Sequence, residues 1–146
     1  ELMRISSSSM IFPEGIRYRL VNKLSNPCAD MDHEQMVQVI SNLLKNGMEA
    51  MPGGGVLSVE LSDNQDWVSI SVRDEGTGIE PRDLEKIFEP FFTTKGIGKG
   101  TGLGLATTYG IVKMHRGQID VKSNTDPRKG PCGTEFIIKI PRINKS

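Results

Sequence analysis

The chain has 146 residues, enough for one domain with a hydrophobic core, and its 25% charged and 36% hydrophobic residues are typical of a water-soluble protein. Eighteen Lys and Arg residues balance eighteen Asp and Glu residues, so no overall positive charge favours nucleic acid or an anionic membrane as a partner. The sequence contains no apolar stretch of membrane-spanning length, and its first residues do not resemble a signal peptide.

The domain organisation is predicted to be simple. Residues 1–15 are rich in serine and are expected to form a linker or edge segment, and residues 16–146 the domain itself. Because the chain starts at Glu1 rather than at methionine, we expect a fragment of a longer protein, which can itself be anchored in a membrane. Cys28 and Cys132 lack metal-ligand spacing, so reduced thiols and a cytoplasmic location are expected.

The first predicted elements are a strand and a long helix. Ile16, Tyr18 and Leu20 alternate with arginines, which predicts a half-buried strand. Asp32 is the predicted N-cap of a helix that ends at the Pro-Gly-Gly-Gly run of residues 52–55. Apolar residues of this helix recur at helical spacing and predict a stripe facing the core: Met36, Val39, Ile40, Leu43, Gly47 and Met48.

The next elements are two strands, a short helical turn, a long loop and a second helix. The strands have inward-facing residues at every second position: Leu57, Val59 and Leu61, then Val68, Ile70 and Val72. Pro81 begins a short helical turn that extends to Phe88. Residues 89–102 have no periodicity and are rich in glycine and lysine, which is typical of a functional loop in a compact domain. A helix is predicted over residues 103–115.

Two final strands complete the predicted fold. Their inward-facing residues are Ile119 and Val121, then Phe136, Ile138 and Ile140. Strands and helices do not alternate strictly along the chain, so a doubly wound parallel sheet is not expected. The order predicts an α+β fold, a two-layer α/β sandwich with helices on one face of a mixed sheet.

A carboxylate follows the second of the two middle strands. Val68, Ile70 and Val72 face the core, and Asp74 comes next on the same face. A carboxylate directed at a core is costly unless hydrogen bonds reach it. One interpretation is an aspartate that caps its own turn. The other is a carboxylate that accepts a ligand amine, such as the exocyclic amino group of adenine, beside Gly76 and Gly78, which permit close approach of a flat ligand.

A polar stripe borders the apolar face of the first helix. Asn42 and Asn46 are four residues apart and therefore neighbours, and Gln35, Gln38 and Glu49 lie on the same side. Asparagine is a poor helix former, so two of them on one side require a reason. The stripe is either a solvated edge or a set of oxygen ligands for a hard cation such as Mg²⁺.

The loop before the second helix has the composition of an anion site. Glycines of residues 96–104 leave backbone N–H groups accessible, the helix N-terminus follows, and Lys95 and Lys99 add positive charge. Glycine follows Lys99, so the segment is not a P-loop, and its glycine spacing does not fit the dinucleotide fingerprint. Phosphate binding and a flexible hinge are both compatible with this pattern.

Thr134 repeats the pattern of Asp74 on the last strand. It is in phase with Phe136, so its hydroxyl is expected to point inward at the start of the strand. Strand propensity alone explains a threonine there. Next to an inward aspartate, its hydroxyl is a plausible second donor to a base.

Four sequence blocks resemble, in order, the boxes of the ATP-binding catalytic domain of bacterial two-component sensor histidine kinases, in the superfamily shared with gyrase, the Hsp90 chaperones and MutL. The N box resembles residues 38–51 (QVISNLLKNGMEAM), the G1 box residues 74–79 (DEGTGI), the F box residues 88–95 (FEPFFTTK) and the G2 box residues 100–105 (GTGLGL). Residues 110–119 and the Gly133-Thr134 pair also match, so the resemblance extends from about residue 16 to about residue 141.

The resemblance implies a mixed five-stranded sheet with three helices on one face and a flexible ATP lid from about residue 80 to residue 101, with Phe91 and Phe92 packing the lid down. It implies ATP or ADP and Mg²⁺ as ligands, with Asp74 accepting from the adenine amine and Asn46 and Asn42 holding the metal. Asn46, Asn42 and Lys95 are the implied catalytic residues. The other implied nucleotide-binding residues are Glu49, Gly76, Gly78, Ile79, Phe88, Thr93, Thr94, Lys99, Gly100, Thr101, Gly102, Leu103, Gly104, Leu105 and Thr134.

Several positions depart from the family pattern. Gly47 stands where the N box usually has alanine, a change that weakens a helix by about 1 kcal/mol, and Arg116 replaces a common glycine. Nothing here resembles the phosphoacceptor block, a histidine on a dimerising helix followed by acidic, basic and proline residues. His33 precedes Glu34 but not the rest of that pattern, so an exposed residue at a helix start is expected, and His115 matches a structural position.

The implied function is binding of Mg-ATP and transfer of its γ-phosphate to a histidine on a separate dimerisation and phosphoacceptor domain. The phosphoryl group would then pass from this histidine to a response regulator. The fragment is expected to be monomeric and the full-length protein a homodimer, with no nucleic-acid partner. Two alternatives stay open. A gyrase-, Hsp90- or MutL-like ATPase would need a glutamate base where this chain has Asn42, whose amide cannot take a proton from water. An ATP-binding regulatory module without transfer would have the same ligand residues.

Overall fold

The computed structural model of the chain describes residues 14–24, 33–90, 92 and 104–141. The strands and α-helices of this part are β1 (Ile16–Asn22), α1 (His33–Glu49), β2 (Gly55–Asp63), β3 (Trp67–Arg73), α2 (Gly104–Met114), β4 (Gln118–Asn124) and β5 (Gly133–Pro141). Neither α1 nor α2 combines the length and the hydrophobicity that crossing a lipid bilayer requires.

The five strands form one sheet in the order β1-β2-β3-β5-β4. β1 and β2 are parallel, whereas the β2–β3, β3–β5 and β4–β5 pairs are antiparallel, so the sheet is mixed, as predicted. The strand that comes last in sequence, β5, is therefore inserted between β3 and β4. This insertion places the end of β3 beside the start of β5.

The hydrophobic core lies between the inner face of the sheet and the helices. Three buried residues of β3 face three buried residues of β5 in register: Val68 and Ile140, Ile70 and Ile138, Val72 and Phe136. The apolar stripe of α1 packs into the same core, with Met36, Val39, Ile40, Leu43 and Leu44 almost fully buried. The alternation in the strands and the helical period in α1 therefore confirm the predicted α+β sandwich.

The segment after Pro81 forms a single 3-10 turn, Pro81–Asp83, rather than a third α-helix. Its hydrogen bonds join residues three apart: the N–H of Leu84 donates to the carbonyl oxygen of Pro81 at 3.3 Å, and the N–H of Lys86 to that of Asp83 at 2.9 Å. Pro90 follows closely, and the residue before a proline disfavours helical backbone angles. The described part of the chain thus contains two α-helices where the resemblance implied three.

The edge strand β1 differs in one detail from its predicted pattern. Leu20 was expected to face the core, but its side chain is 42% exposed. Among the described strands β1 pairs with β2 alone, so no other described strand covers its far side. The predicted N-cap Asp32 lies outside the described residues, and the boundary between residues 1–15 and the domain stays a prediction.

The C-terminus of α2 explains the unusual Arg116. Its φ of 60° lies in the left-handed region, where glycine is favoured because it has no Cβ. The N–H of Gly117 donates to the carbonyl oxygen of Val112 at 2.9 Å, and the N–H of Arg116 to that of Lys113 at 3.0 Å. This pair of bonds is a Schellman motif. The helix therefore ends as it would with glycine, at the cost of strain at Arg116. His115 is half-buried, and its Nδ1 lies 2.9 Å from the carbonyl oxygen of Ile111, consistent with the expected structural role.

Candidate functional site

Asp74 lies directly after β3 and extends the pairing with β5. Its N–H donates to the carbonyl oxygen of Thr134 at 2.9 Å, and its side chain is only 3% exposed. One carboxylate oxygen, Oδ1, accepts the N–H of Gly76 at 2.8 Å and the N–H of Thr134 at 3.3 Å. The carboxylate therefore caps its own turn, as the simpler interpretation predicted, and also binds the adjacent strand.

The second carboxylate oxygen of Asp74 is the distinctive atom of the site. Both of the bonds described above reach Oδ1, and none of the described residues donates a hydrogen bond to Oδ2. Burial raises the pKa of Asp74 above its ordinary value, while the backbone N–H groups of Gly76 and Thr134 act in the opposite direction. A buried carboxylate with one incompletely bonded oxygen is suited to accept from a donor supplied by a ligand.

The two glycines after Asp74 are required by contacts within the protein. A Cβ on Gly76 would lie 2.3 Å from the carbonyl oxygen of Ala50 at the end of α1, which is far inside a van der Waals contact. Gly78 has a φ of 83°, and a Cβ there would lie 2.3 Å from the carbonyl oxygen of Asn124. Close packing of the loop against α1 and β4 thus explains both residues, and their predicted role in nucleotide binding stays a prediction.

Ser123 belongs to the same cluster and was missed in the sequence. Its Oγ accepts the N–H of Ile79 at 2.6 Å and lies 2.9 Å from the Oγ1 of Thr134 and 3.1 Å from the carbonyl oxygen of Gly133. The signal that identifies it is the phase of β4, because Ser123 follows Val121 on the inward face. Thr134 is buried, with 4% of its surface exposed, so its predicted inward orientation is confirmed.

Asn42 of α1 lies beside the start of α2. Nδ2 of Asn42 donates to the carbonyl oxygen of Gly104 at 3.2 Å, and Oγ1 of Thr108 donates to the same oxygen at 2.9 Å. Asn46 is half-buried and Glu49 is exposed. The polar stripe of α1 is therefore adjacent to the segment that follows the glycine-rich loop.

The predicted apolar residues of the site have well-defined neighbours. Ile79 and Leu105 are half-buried and pack against the core. The ring of Phe88 lies 5.2 Å from that of Tyr109 and 6.4 Å from that of Phe136, so its described ring contacts are with other residues of the protein. Phe92 also packs against the core. The other predicted site and lid residues lie outside the described residues: Phe91, Thr93, Thr94, Lys95, Lys99, Gly100, Thr101, Gly102 and Leu103.

The sequence that forms this site matches a known protein family. The family model of histidine kinase-, DNA gyrase B- and HSP90-like ATPases matches residues 31–144, a range that includes α1, Asp74, Ser123 and Thr134.

The chain belongs to this family.

Curated relatives of this chain carry the names of kinases. Sporulation kinase A of Bacillus subtilis (strain 168) is 44% identical over 111 residues, which are 76% of this chain and 17% of the relative. Sensor histidine kinase ZraS of Escherichia coli (strain K12) is 42% identical over 126 residues, 86% of this chain and 26% of the relative. The chain thus spans about a quarter or less of the length of these relatives.

Solved structures give the same result over nearly the whole chain. The nucleotide-free catalytic domain of histidine kinase ThkA superimposes with a TM-score of 0.78 at 31% identity, covering 97% of this chain and 92% of that one. The mycobacterial sensor histidine kinase MprB gives a TM-score of 0.76 at 27% identity, covering 96% of this chain and 88% of that one. The resemblance found in the sequence is confirmed: this is the ATP-binding catalytic domain of the two-component histidine kinase type.

Proposed function

We propose that this catalytic domain binds Mg-ATP and donates the γ-phosphate to a histidine on a separate dimerisation and phosphoacceptor domain, which passes it to a response regulator. The observation that carries the proposal is the carboxylate of Asp74. It is buried, bonded through Oδ1, and without a described hydrogen bond at Oδ2. The exocyclic amine of adenine is a donor that matches this acceptor.

The surroundings of Asp74 support recognition of a base. Asp74 is buried, which raises the pKa of its carboxyl group, and in such surroundings a hydrogen bond to an ionised oxygen is strong. Ile79 and Leu105 offer half-buried apolar surface for the faces of a flat ring. In the proposed complex, Oδ2 accepts from the amine and the apolar side chains exclude water from the ring.

The polar stripe of α1 fits Mg²⁺ by the chemistry of its donors. Asn42, Asn46 and Glu49 supply amide and carboxylate oxygens within two helical turns, and Mg²⁺ prefers oxygen ligands and retains some of its waters. Nδ2 of Asn42 donates to Gly104, which orients the amide, and none of the described residues donates to its oxygen, which suits that oxygen to a ligand or a water. When bound there, Mg²⁺ would neutralise charge on the triphosphate.

The start of α2 is the proposed phosphate end of the site. The first N–H groups of a helix have no partner within the helix and carry partial positive charge. α2 begins at Gly104, next to Asn42. Lys95, Lys99 and residues 100–103 stay predicted phosphate ligands. Catalysis by such a site consists mainly of positioning and charge stabilisation.

The relatives support a kinase over a gyrase-like ATPase, since those named above are sensor and sporulation kinases. Asn42 adds a chemical argument, because its amide has no basic site for a proton of water. We therefore propose that the domain acts in the cytoplasm, where ATP is abundant, as a monomeric fragment of a homodimeric sensor kinase.

The test is phosphotransfer between separate domains. The chain is mixed with Mg²⁺, ATP radiolabelled at the γ-phosphate and the helical phosphoacceptor domain of its parent protein. We expect acid-labile, base-stable label on the helical domain and none on this chain. Release of inorganic phosphate without labelling would establish an ATPase instead. Absence of ATP binding in calorimetry would overturn both functions.

A further inference from the structure

The hydroxyl of Ser123 contacts three polar atoms from two segments, the loop after Asp74 and the start of β5. These are the backbone nitrogen of Ile79 at 2.6 Å, Oγ1 of Thr134 at 2.9 Å and the carbonyl oxygen of Gly133 at 3.1 Å. Ser123 is half-buried at the end of β4. It links the loop after Asp74 to the start of β5, where the N–H of Thr134 donates to Asp74.

The protons of these groups can be assigned by counting. A serine hydroxyl has one proton and two lone pairs. The N–H of Ile79 can only donate and the carbonyl oxygen of Gly133 can only accept. If Ser123 donates to Gly133 and accepts from both Ile79 and Thr134, all three contacts are hydrogen bonds. If Ser123 instead donates to Thr134, its contact with Gly133 places two oxygens 3.1 Å apart with no proton between them.

We propose that Ser123 is a positioning residue that orients the hydroxyl of Thr134, so that Thr134 faces the nucleotide base as an acceptor. The proton of Thr134 is directed at Ser123, and its remaining lone pair is available to the base or to a bridging water. This inference rests on the proposed function. It reverses the sequence-based expectation that Thr134 is a second donor.

The consequence concerns the class of base. Asp74 and Thr134 then present two acceptors, which match the amine of adenine and a water that donates to both the base and Thr134. A 6-oxopurine such as hypoxanthine places a carbonyl oxygen where the amine would be. Thr134 can donate to that oxygen only if its hydroxyl rotates away from Ser123. Ser123 therefore contributes to the preference for ATP over inosine triphosphate without touching either base.

The test measures the ratio of affinities for ATP and inosine triphosphate by titration calorimetry with Mg²⁺. Ser123→Ala frees the hydroxyl of Thr134, so we expect the ratio to fall about five- to tenfold, the factor that corresponds to one hydrogen bond. Thr134→Val deletes the acceptor at similar volume and is expected to lower the ratio as well. In the Thr134→Val background, Ser123→Ala should change the ratio no further.

Control variants distinguish orientation of the Thr134 hydroxyl by Ser123 from a purely structural role of Ser123. A purely structural role of Ser123 would weaken binding of both nucleotides by one factor, leaving the ratio unchanged, and that result would overturn the inference. Ser123→Thr retains the hydroxyl and should restore the ratio. If Ser123→Ala does not fold, Thr134→Val decides, because an increased ratio in that variant would show that Thr134 is not an acceptor. If the unaltered chain binds neither nucleotide, the proposed function fails; if it prefers ATP but the variants do not respond, only this inference fails.

Discussion

Replacing Asp74 by asparagine changes one atom of the carboxyl group, Oδ2, from an acceptor into a donor. The remaining side-chain oxygen can still accept the N–H groups of Gly76 and Thr134, which lie 2.8 Å and 3.3 Å from Oδ1. A hydrogen bond to a charged acceptor contributes about 1.5–3 kcal/mol. Its loss weakens ATP binding by about 10- to 150-fold, and the opposed NH₂ groups of asparagine and adenine weaken it further.

The same substitution should not destabilise the domain without nucleotide. The pKa of Asp74 is raised in the folded state, so the folded protein keeps the carboxyl proton of Asp74 at pH values above about 3.8, at which the unfolded chain releases it. Ionisation therefore lowers the stability of the folded state as the pH rises from 3.8 through the folded pKa. Asp74→Asn removes this effect, so its free energy of unfolding at pH 7 should equal or exceed that of the unaltered chain, and the difference should disappear at low pH.

Calorimetry with Mg-ATP and urea unfolding at acid and neutral pH test both expectations. Asp126→Asn is a matched control, because Asp126 also accepts a backbone N–H, that of Arg128, at 3.0 Å. The side chain and backbone of Arg128 lower the pKa of Asp126, so that variant should lose stability at neutral pH and keep its ATP affinity. Normal ATP binding by Asp74→Asn would refute the base-recognition role. Destabilisation by more than about 1 kcal/mol would mean that the carboxylate is mainly a structural cap.

Two further predictions concern the proposed Mg²⁺ ligands on α1 and the C-terminus of α2. Asn46→Ala should abolish most of the dependence of ATP affinity on Mg²⁺, because it removes a proposed oxygen ligand. Calorimetry with and without EDTA measures this dependence, and Asn64→Ala in the β2–β3 turn is the control. An unchanged dependence would reject the assignment of Asn46 as a ligand. Arg116→Gly should raise the free energy of unfolding, measured in urea, by about 0.5–1 kcal/mol, because glycine adopts the φ of 60° at this position without strain. Equal or lower stability of the variant would contradict backbone strain at Arg116, and Arg82→Gly is the control.

The main features of the fold could be predicted from the sequence because the periodicities are local. Alternation of Val68, Ile70 and Val72 identifies β3 and the buried direction of Asp74, and both hold in the structure. The third helix could not be excluded in this way. Ile87 packs in the core, and Pro90 disfavours helical backbone angles in the residue before it. Hydrophobic periodicity does not show how these two effects shape the segment after Pro81.

The site was less accessible to sequence reasoning, because its contacts cross long sequence separations. Ser123 and Ile79 are 44 residues apart, and Asn42 and Gly104 are 62 residues apart. The phase of β4 indicates that Ser123 points inward, but it does not indicate which groups its hydroxyl contacts. Only the resemblance to a family identified the glycine and asparagine positions together, and the structure then supplied packing reasons for Gly76 and Gly78 that the pattern did not contain.

The insertion of β5 between β3 and β4 has a consequence for biosynthesis. During translation, β3 and β4 leave the ribosome before the strand that joins them, so both first expose unpaired backbone, and Asp74 has no neighbouring Thr134. Asp74 and Thr134 act together in the proposed nucleotide site, so we expect a chain without β5 to bind no nucleotide. On the proposed function, ATP binding becomes possible only once β5 has paired with β3 and β4, so nucleotide binding would show that the five-stranded sheet is complete.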